Sequence, residues 1–263
     1  MERGGHFYRF HIMTVTPHIT SIMWGSVTDL GSRYVDCLNV HRREKMKTFL
    51  SIGSGPGIGF ATAERFAKEG FQIVLASRNI ESVQALVSKL THQGFNAEAR
   101  SVDASDPAKV AALVDEVASK IGGIDVLHYN AASMRHATIS NQTNDTFLGD
   151  LAINIGGALS AVQAVASRMA TAKTGTILLT GGGFALNPSP DYLSLSIGKA
   201  GIRALTLGTF ESLKAQGIHI ASVVVSTMVK PGSKEAQEIA DEFWKLHSQA
   251  VDSWTAELPY PAN

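Results

Sequence analysis

One short stretch carries most of the chemistry visible in this chain: Gly53-Ser54-Gly55-Pro56-Gly57-Ile58-Gly59. Closely spaced glycines let the backbone reach positive φ and bring N–H groups against a ligand. A helix opening at such a turn adds unpaired N–H groups and the positive end of its dipole, which together hold a phosphate. Gly53, Ser54, Gly57, Ile58 and Gly59 are therefore the expected phosphate contacts, and a nucleotide is the expected ligand. Arg78 lies 19 positions after Gly59, with Ser77 and Asn79 beside it. An acidic residue at about that distance grips the ribose 2′-hydroxyl of NAD, whereas an arginine accommodates the 2′-phosphate of NADP. Arg78 thus favours NADP over NAD. The histidines are scattered and no H-x-x-x-H or C-x-x-C spacing occurs, so no metal site is expected.

The elements around the turn give it its context. Thr48 to Ile52 is an apolar run that reads as a buried strand. Ile58, Thr62 and Phe66 follow at helical spacing, and Phe71 to Ala76 is a second apolar run. Strand, tight turn, helix and strand form one βαβ unit of about 30 residues. The alternation continues. Helices are expected at 80–92, after Pro107 to Ile121, at 145–172, at about 190–215 and at 235–247. Strands are expected at 95–102, 124–129, 176–180 and 218–225, with a last edge strand at 254–258. Residues 133–142 read as loop. This pattern predicts a Rossmann-type, doubly wound α/β domain with a parallel sheet of about seven strands. Ligands of such sheets bind at the carboxyl ends of the strands, where the strand order reverses. Arg78, Asp103, Asn130 and Gly181 to Gly183 all fall at expected strand ends.

Composition narrows the options. With 263 residues, 44% of them hydrophobic, the chain can bury one full α/β core. Lysine plus arginine equals aspartate plus glutamate at 23 each, which argues against a nucleic-acid or membrane-surface partner recruited by charge. No uninterrupted apolar run reaches the roughly 20 residues of a membrane span. The one cysteine, Cys37, leaves no internal disulfide and fits a reducing compartment, so a cytoplasmic location is expected. Residues 1–45 hold four of the nine histidines and no sustained period. They are expected to be a disordered leader or an upstream mis-start, with the folded domain spanning 46–263.

Beyond the turn, the order of motifs resembles the short-chain dehydrogenase/reductase family over essentially all of residues 46–258. The glycine turn matches that family's G-x-x-x-G-x-G cofactor loop, with Ile52 where a threonine is usual. Tyr129-Asn130-Ala131-Ala132 stands where the family has N-N-A-G. The resemblance implies that Asp103 contacts adenine, that Asn130 and Ala131 border the cofactor, that Asn154 is the active-site asparagine, and that Lys199 is the lysine of Y-x-x-x-K, which holds the nicotinamide ribose. It implies an NADP-dependent oxidoreductase acting on a small-molecule carbonyl or alcohol, and a homodimer or homotetramer built through the helices at 145–172 and 190–215.

The acid–base half of the family pattern departs. Leu195 stands four residues before Lys199, where the catalytic tyrosine belongs. Gly181, Gly182 and Gly183 take the place of the catalytic serine, and Val225-Ser226 replaces the usual P-G. Leucine and glycine side chains neither give nor take a proton. A positioned general acid contributes typically about 10²–10⁴ in rate, so its loss calls for a substitute. Tyr192, seven residues before Lys199, is a candidate donor, although a rise of roughly 10 Å separates them on a helix. Ser196 reads as a helix-packing serine, and Ser133 and His136 as solvated loop residues. Two functions follow: an oxidoreductase with an altered proton donor, in which Lys199, Asn154 and Tyr192 form the catalytic set, or a catalytically degenerate nucleotide-binding sensor or partner protein.

Overall fold

The computed structural model describes residues 46–261, so the expected leader at 1–45 lies outside the described residues. Seven parallel strands form one sheet in the order β3-β2-β1-β4-β5-β6-β7. They are β1 (Thr48–Ile52), β2 (Gln72–Ser77), β3 (Ala97–Ser101), β4 (Val126–Tyr129), β5 (Gly175–Gly182), β6 (Ile218–Val225) and β7 (Glu257–Tyr260). The chain runs outward from β1 to β3, then returns to place β4 against the other side of β1. The order therefore reverses between β1 and β4, the position at which open parallel sheets receive ligands.

Six helices cover the two faces. They are α1 (Ile58–Lys68), α2 (Ile80–His92), α3 (Pro107–Ile121), α4 (Asn144–Ala172), α5 (Leu193–Lys214) and α6 (Lys234–His247). Strand residues alternate between two cores. Leu50, Leu127, Tyr129, Ile177 and Leu179 pack with α3, α4 and α5. Phe49, Ile73, Leu75, Val126 and Leu178 pack with α1, α2 and α6. Local signals set the helix ends. Asp106 caps α3 by accepting from Ala108 and Lys109 N–H ahead of Pro107, and Gly122 closes the helix at φ 91°.

α4 is long and apolar enough by composition to cross a membrane. Here Ala158, Ala161, Val162, Val165 and Met169 bury one of its faces in the domain core. The helix is broken by a π turn at Ala152–Gly156. That wide turn presents the Ile153 carbonyl to the Tyr129 hydroxyl at 2.5 Å. A Cβ on Gly157, just after it, would overlap both that hydroxyl and the Ala104 carbonyl oxygen.

Several boundaries differ from the sequence expectation. β5 continues through Gly181 and Gly182, because both pair in register with Val224 and Val225 of β6. α5 begins at Leu193 rather than near Pro190, because the carbonyl of Asp191 and the N–H of Leu193 are taken by Ala137. Tyr192 consequently precedes the helix instead of riding on its stripe. β7 starts at Glu257, three residues later than expected.

The close approach at Gly157 gives a direct test. Gly157→Ala should destabilise the domain by about 1–3 kcal/mol through overpacking, read as a lower urea midpoint; an unchanged midpoint would contradict the packing described.

Candidate functional site

The glycine turn leaves β1 at the reversal point. Gly53 and Ser54 both donate to the Ala76 carbonyl at the end of β2, at 2.8 and 3.0 Å, and the Ser54 hydroxyl donates to the Ser51 carbonyl at 2.9 Å. Gly53 holds φ +84°, and a Cβ there would collide with the backbone of Ala131. Gly55 and Gly57 face open space on their Cβ side. Gly57 precedes α1 without a side-chain cap. The N–H groups of Ile58 and Gly59 donate to no described residue. An open concavity with two uncommitted N–H donors at a helix start is a fitting socket for a diphosphate. The residues present thus suit a dinucleotide.

Behind the turn runs a buried polar chain. Asn130 donates from Nδ2 to the Gly53 carbonyl at 2.9 Å and accepts the Thr180 hydroxyl on Oδ1 at 2.9 Å. Thr180 has then spent its one proton, so it must accept from Nε2 of His128, 3.1 Å away. Nδ1 of His128 in turn accepts from the Ser51 hydroxyl at 3.2 Å. His128 is thereby fixed as the neutral Nε2–H tautomer, in keeping with burial that lowers its pKa to about 3. The chain ties the cofactor turn to the ends of β4 and β5.

At the far rim, Arg78 is exposed, and its guanidinium forms no hydrogen bond or ion pair among the described residues. Asp103 accepts from Ser105 N–H and hydroxyl, both on Oδ1, at 3.0 and 2.8 Å. The Ser105 N–H bond is the main reason its carboxyl sits below the ordinary value. Its second oxygen is uncommitted.

The other flank lies at the ends of β4 and β5. Lys199 donates from Nζ to the Thr180 carbonyl at 2.7 Å. The residue keeps some solvent access, but its amine is deep enough that desolvation lowers its pKa to about 8. Leu195, one turn earlier, is buried. Asn154, inside the π turn, accepts from Ser133 N–H at 2.6 Å and donates to the Ser133 carbonyl at 3.3 Å. Tyr192 stacks on Phe184 with centroids 5.8 Å apart and meets the edge of His136 at 5.4 Å. The structure thus gathers the glycine turn, Asn130, Ala131 and Lys199 around the carboxyl ends of β1, β4 and β5, with Asn154 holding the loop at Ser133 and Tyr192 in an aromatic cluster with two loop residues.

Two contributors escaped the sequence reading. One is His128. The other is Asp150 of α4, which is 1% exposed and accepts from Ser133, Arg135 and Ser194. Burial pushes its carboxyl up, but the bonds from Arg135, Ser133 and Ser194 outweigh that and hold the pKa low. Asp150 fastens the loop after β4 to both α4 and α5. A separate hollow of ≈ 330 Å³, lined by Lys47, Asp125, His247 and Trp254 among others, lies at the amino ends of the strands, opposite the glycine turn.

The fold is that of a Rossmann-type α/β domain, with the glycine turn at the reversal of its strand order. Residues 47–240 match the short chain dehydrogenase family. The chain belongs to that family, and its class is that of an oxidoreductase. Among relatives, it is 37% identical over 123 residues to sorbitol dehydrogenase of Cereibacter sphaeroides, a match covering 47% of each chain. The match therefore spans about half the length of that relative. Among solved structures, a metagenomic short-chain oxidoreductase in complex with NADP superimposes with a TM-score of 0.77 at 24% identity, covering 82% of this chain and 97% of that one. NAD+-bound xylitol dehydrogenase gives 0.75 at 24%, covering 83% and 99%.

The neutral His128 makes stability depend on acid. Its folded pKa of about 3 lies below the ordinary 6.5, so the unfolded chain binds more protons between those values. Its contribution is complete above pH 6.5 and is lost progressively as the pH falls towards 3. One such group gives a slope of up to about 1.4 kcal/mol per pH unit. His247, lowered to about 4 by burial, adds its own share. His128→Gln should reduce the slope of unfolding free energy between pH 6 and 4 by about one proton's worth; a slope equal to wild type would refute the assignment.

Proposed function

We propose that this chain is an NADP-dependent oxidoreductase interconverting a carbonyl and an alcohol, with a proton-donor site that differs from the family pattern. The observation that carries the reading is the open glycine turn at α1, with Ile58 and Gly59 N–H uncommitted. The diphosphate would sit there. The Arg78 side chain, free of hydrogen bonds although its charge acts on Asp103, would meet a ribose 2′-phosphate, for which a planar guanidinium is well suited. Asp103, through its second oxygen, would accept from the adenine amino group. Asn130 and Ala131 would form the floor of the cleft, and Lys199 would reach the nicotinamide ribose. A bound dihydronicotinamide supplies hydride to a carbonyl carbon.

The protein's own part is to position the substrate and to handle the proton. Asn154 holds Ser133 from both sides, and Asp150 holds the Ser133 and Arg135 side chains, so one wall of the substrate cleft is stiff. Phe184, Tyr192 and His136 supply an aromatic wall, and exposed Met134, Leu186 and Met228 lie on the loops after β4, β5 and β6. These surfaces favour an apolar substrate face.

A second reading is supported by Leu195, which is buried and has no proton to give, and by the lack of a side chain at Gly182. On that reading the cleft binds a nucleotide without turning it over, as a sensor or partner subunit. The two readings part on one measurement: whether NADPH is consumed with any member of a carbonyl panel, or is only bound.

A homodimer or homotetramer also belongs to the proposal. Leu148 and Leu159 of α4 and Ile197 and Leu207 of α5 are exposed, at 64%, 43%, 42% and 43%. Exposed apolar rows on two long helices are suited to a second copy. Light scattering should give at least a dimer; a monomer at micromolar concentration would contradict this.

Cofactor choice is tested at Arg78. Arg78→Glu should weaken NADPH binding about tenfold or more, the worth of a lost charge-assisted contact, while NADH binding changes little. Equal losses for both, by calorimetry, would refute the NADP assignment.

A further inference from the structure

Five hydroxyls around the carboxyl ends of β4 and β5 are spoken for, while the Tyr192 phenol makes no hydrogen bond among the described residues and stands in the aromatic cluster with Phe184 and His136. Tyr129 donates to the Ile153 carbonyl, and burial pushes its phenol further from ionisation. Ser133 and Ser194 donate to Asp150. Thr180 donates to Asn130, and Ser196 donates to the carbonyl of Tyr192. Each would have to break a made bond to give a proton elsewhere.

Lys199 differs in supply and position. Its ammonium has three protons: one goes to the Thr180 carbonyl, one would go to the nicotinamide ribose on the reading above, and a third is left. Its stem crosses Gly182 so closely that a Cβ there would stand 3.1, 3.2 and 3.3 Å from Cγ, Cδ and Cε. The lysine has settled into the flank that a side chain at position 182 would otherwise fill. Towards the start of α5 its neighbours on that face are Leu195, which has no polar side-chain atom, and Ser196, whose hydroxyl is taken by the Tyr192 carbonyl.

We propose that Lys199 Nζ is itself the proton donor to the substrate oxygen, in place of a hydroxyl. This rests on the oxidoreductase reading above. The balance is simple. The carbonyl carbon gains a C–H bond from the hydride given up as the dihydronicotinamide is oxidised to nicotinamide, the C=O π bond breaks, and the oxygen gains an O–H bond as an Nζ–H bond breaks. Lys199 is left as a neutral amine and regains its proton from solvent. Burial supports the role: with a pKa lowered to about 8, the group is mostly protonated at neutral pH yet close enough to it to transfer a proton readily.

The test uses the full chain and two independent readouts. The first is an NMR titration of protein carrying [ε-¹³C]lysine, with Lys199 assigned by the signal missing in Lys199→Arg. An inflection near pH 8 is expected, and one at the ordinary lysine value near 10.5 would overturn the proposal. The second compares NADPH affinity and single-turnover NADPH oxidation across a carbonyl panel. Wild-type turnover should fall above pH 8. Lys199→Arg keeps the charge but is a far poorer acid, so turnover should drop about 10²–10⁴-fold with a much smaller change in NADPH affinity. Turnover that survives in Lys199→Arg with an unchanged pH profile, or a profile set by Tyr192 and abolished in Tyr192→Phe alone, would overturn the donor role and leave the oxidoreductase reading standing. Tight NADPH binding with no turnover by wild type would overturn the oxidoreductase reading itself, and the donor role with it.

Discussion

The bond from the Asn130 amide to the Gly53 carbonyl joins the two halves of the sheet at the carboxyl ends of β1 and β4. β1 and β4 are 77 residues apart in sequence at this contact, and the order of the strands reverses between them. The bond holds only if Gly53 has no side chain, because Ala131 occupies that space. It also needs Asn130 turned with its amide nitrogen towards the turn, and the Thr180 hydroxyl enforces this by donating to the other end. His128 and Ser51 then complete the count of donors and acceptors without a charge. In a low-dielectric interior a satisfied neutral chain of this kind is rigid, whereas one missing partner would be costly. The shape of the glycine turn thus depends on a histidine buried between two sheet strands.

Much of the architecture could be read from the residue order. Alternating apolar runs and helical stripes gave the parallel sheet, and the glycine turn marked its reversal point. The cap at Asp106 and the stop at Gly122 were local signals and lie where expected. What escaped was set by partners distant in sequence. β5 runs through two glycines because β6 offers them a ladder, overriding the turn tendency of a glycine triplet. α5 starts late because Ala137 captures the backbone on both sides of Tyr192. Nothing local to residues 189–193 announces a bridge to a loop more than 50 residues earlier.

The site was legible in the same uneven way. The open glycine turn follows from glycine spacing, and Arg78 stands exposed just past β2, where its distance to that turn puts it. The roles of His128 and Asp150 do not. A lone histidine in an apolar strand and a lone aspartate in a helix look unremarkable until the partners appear, 52 and 77 residues away for His128 and 15, 17 and 44 for Asp150. Asn154 is intermediate. The family resemblance singled it out, while the π turn that carries it to Ser133 has its Ile153 carbonyl bonded by Tyr129 and is followed by Gly157 packed on Tyr129 and Ala104.

The crossing of Lys199 over Gly182 couples the two positions. A β-carbon at 182 would stand 3.1 to 3.3 Å from three atoms of the lysine stem, so the stem would have to give by a few tenths of an ångström to admit it. The stem is held at its tip by the Thr180 carbonyl, so a shift forced on its middle would be passed along to the amine. The volume at 182 therefore sets where the amine rests, from a strand to which the lysine itself does not belong.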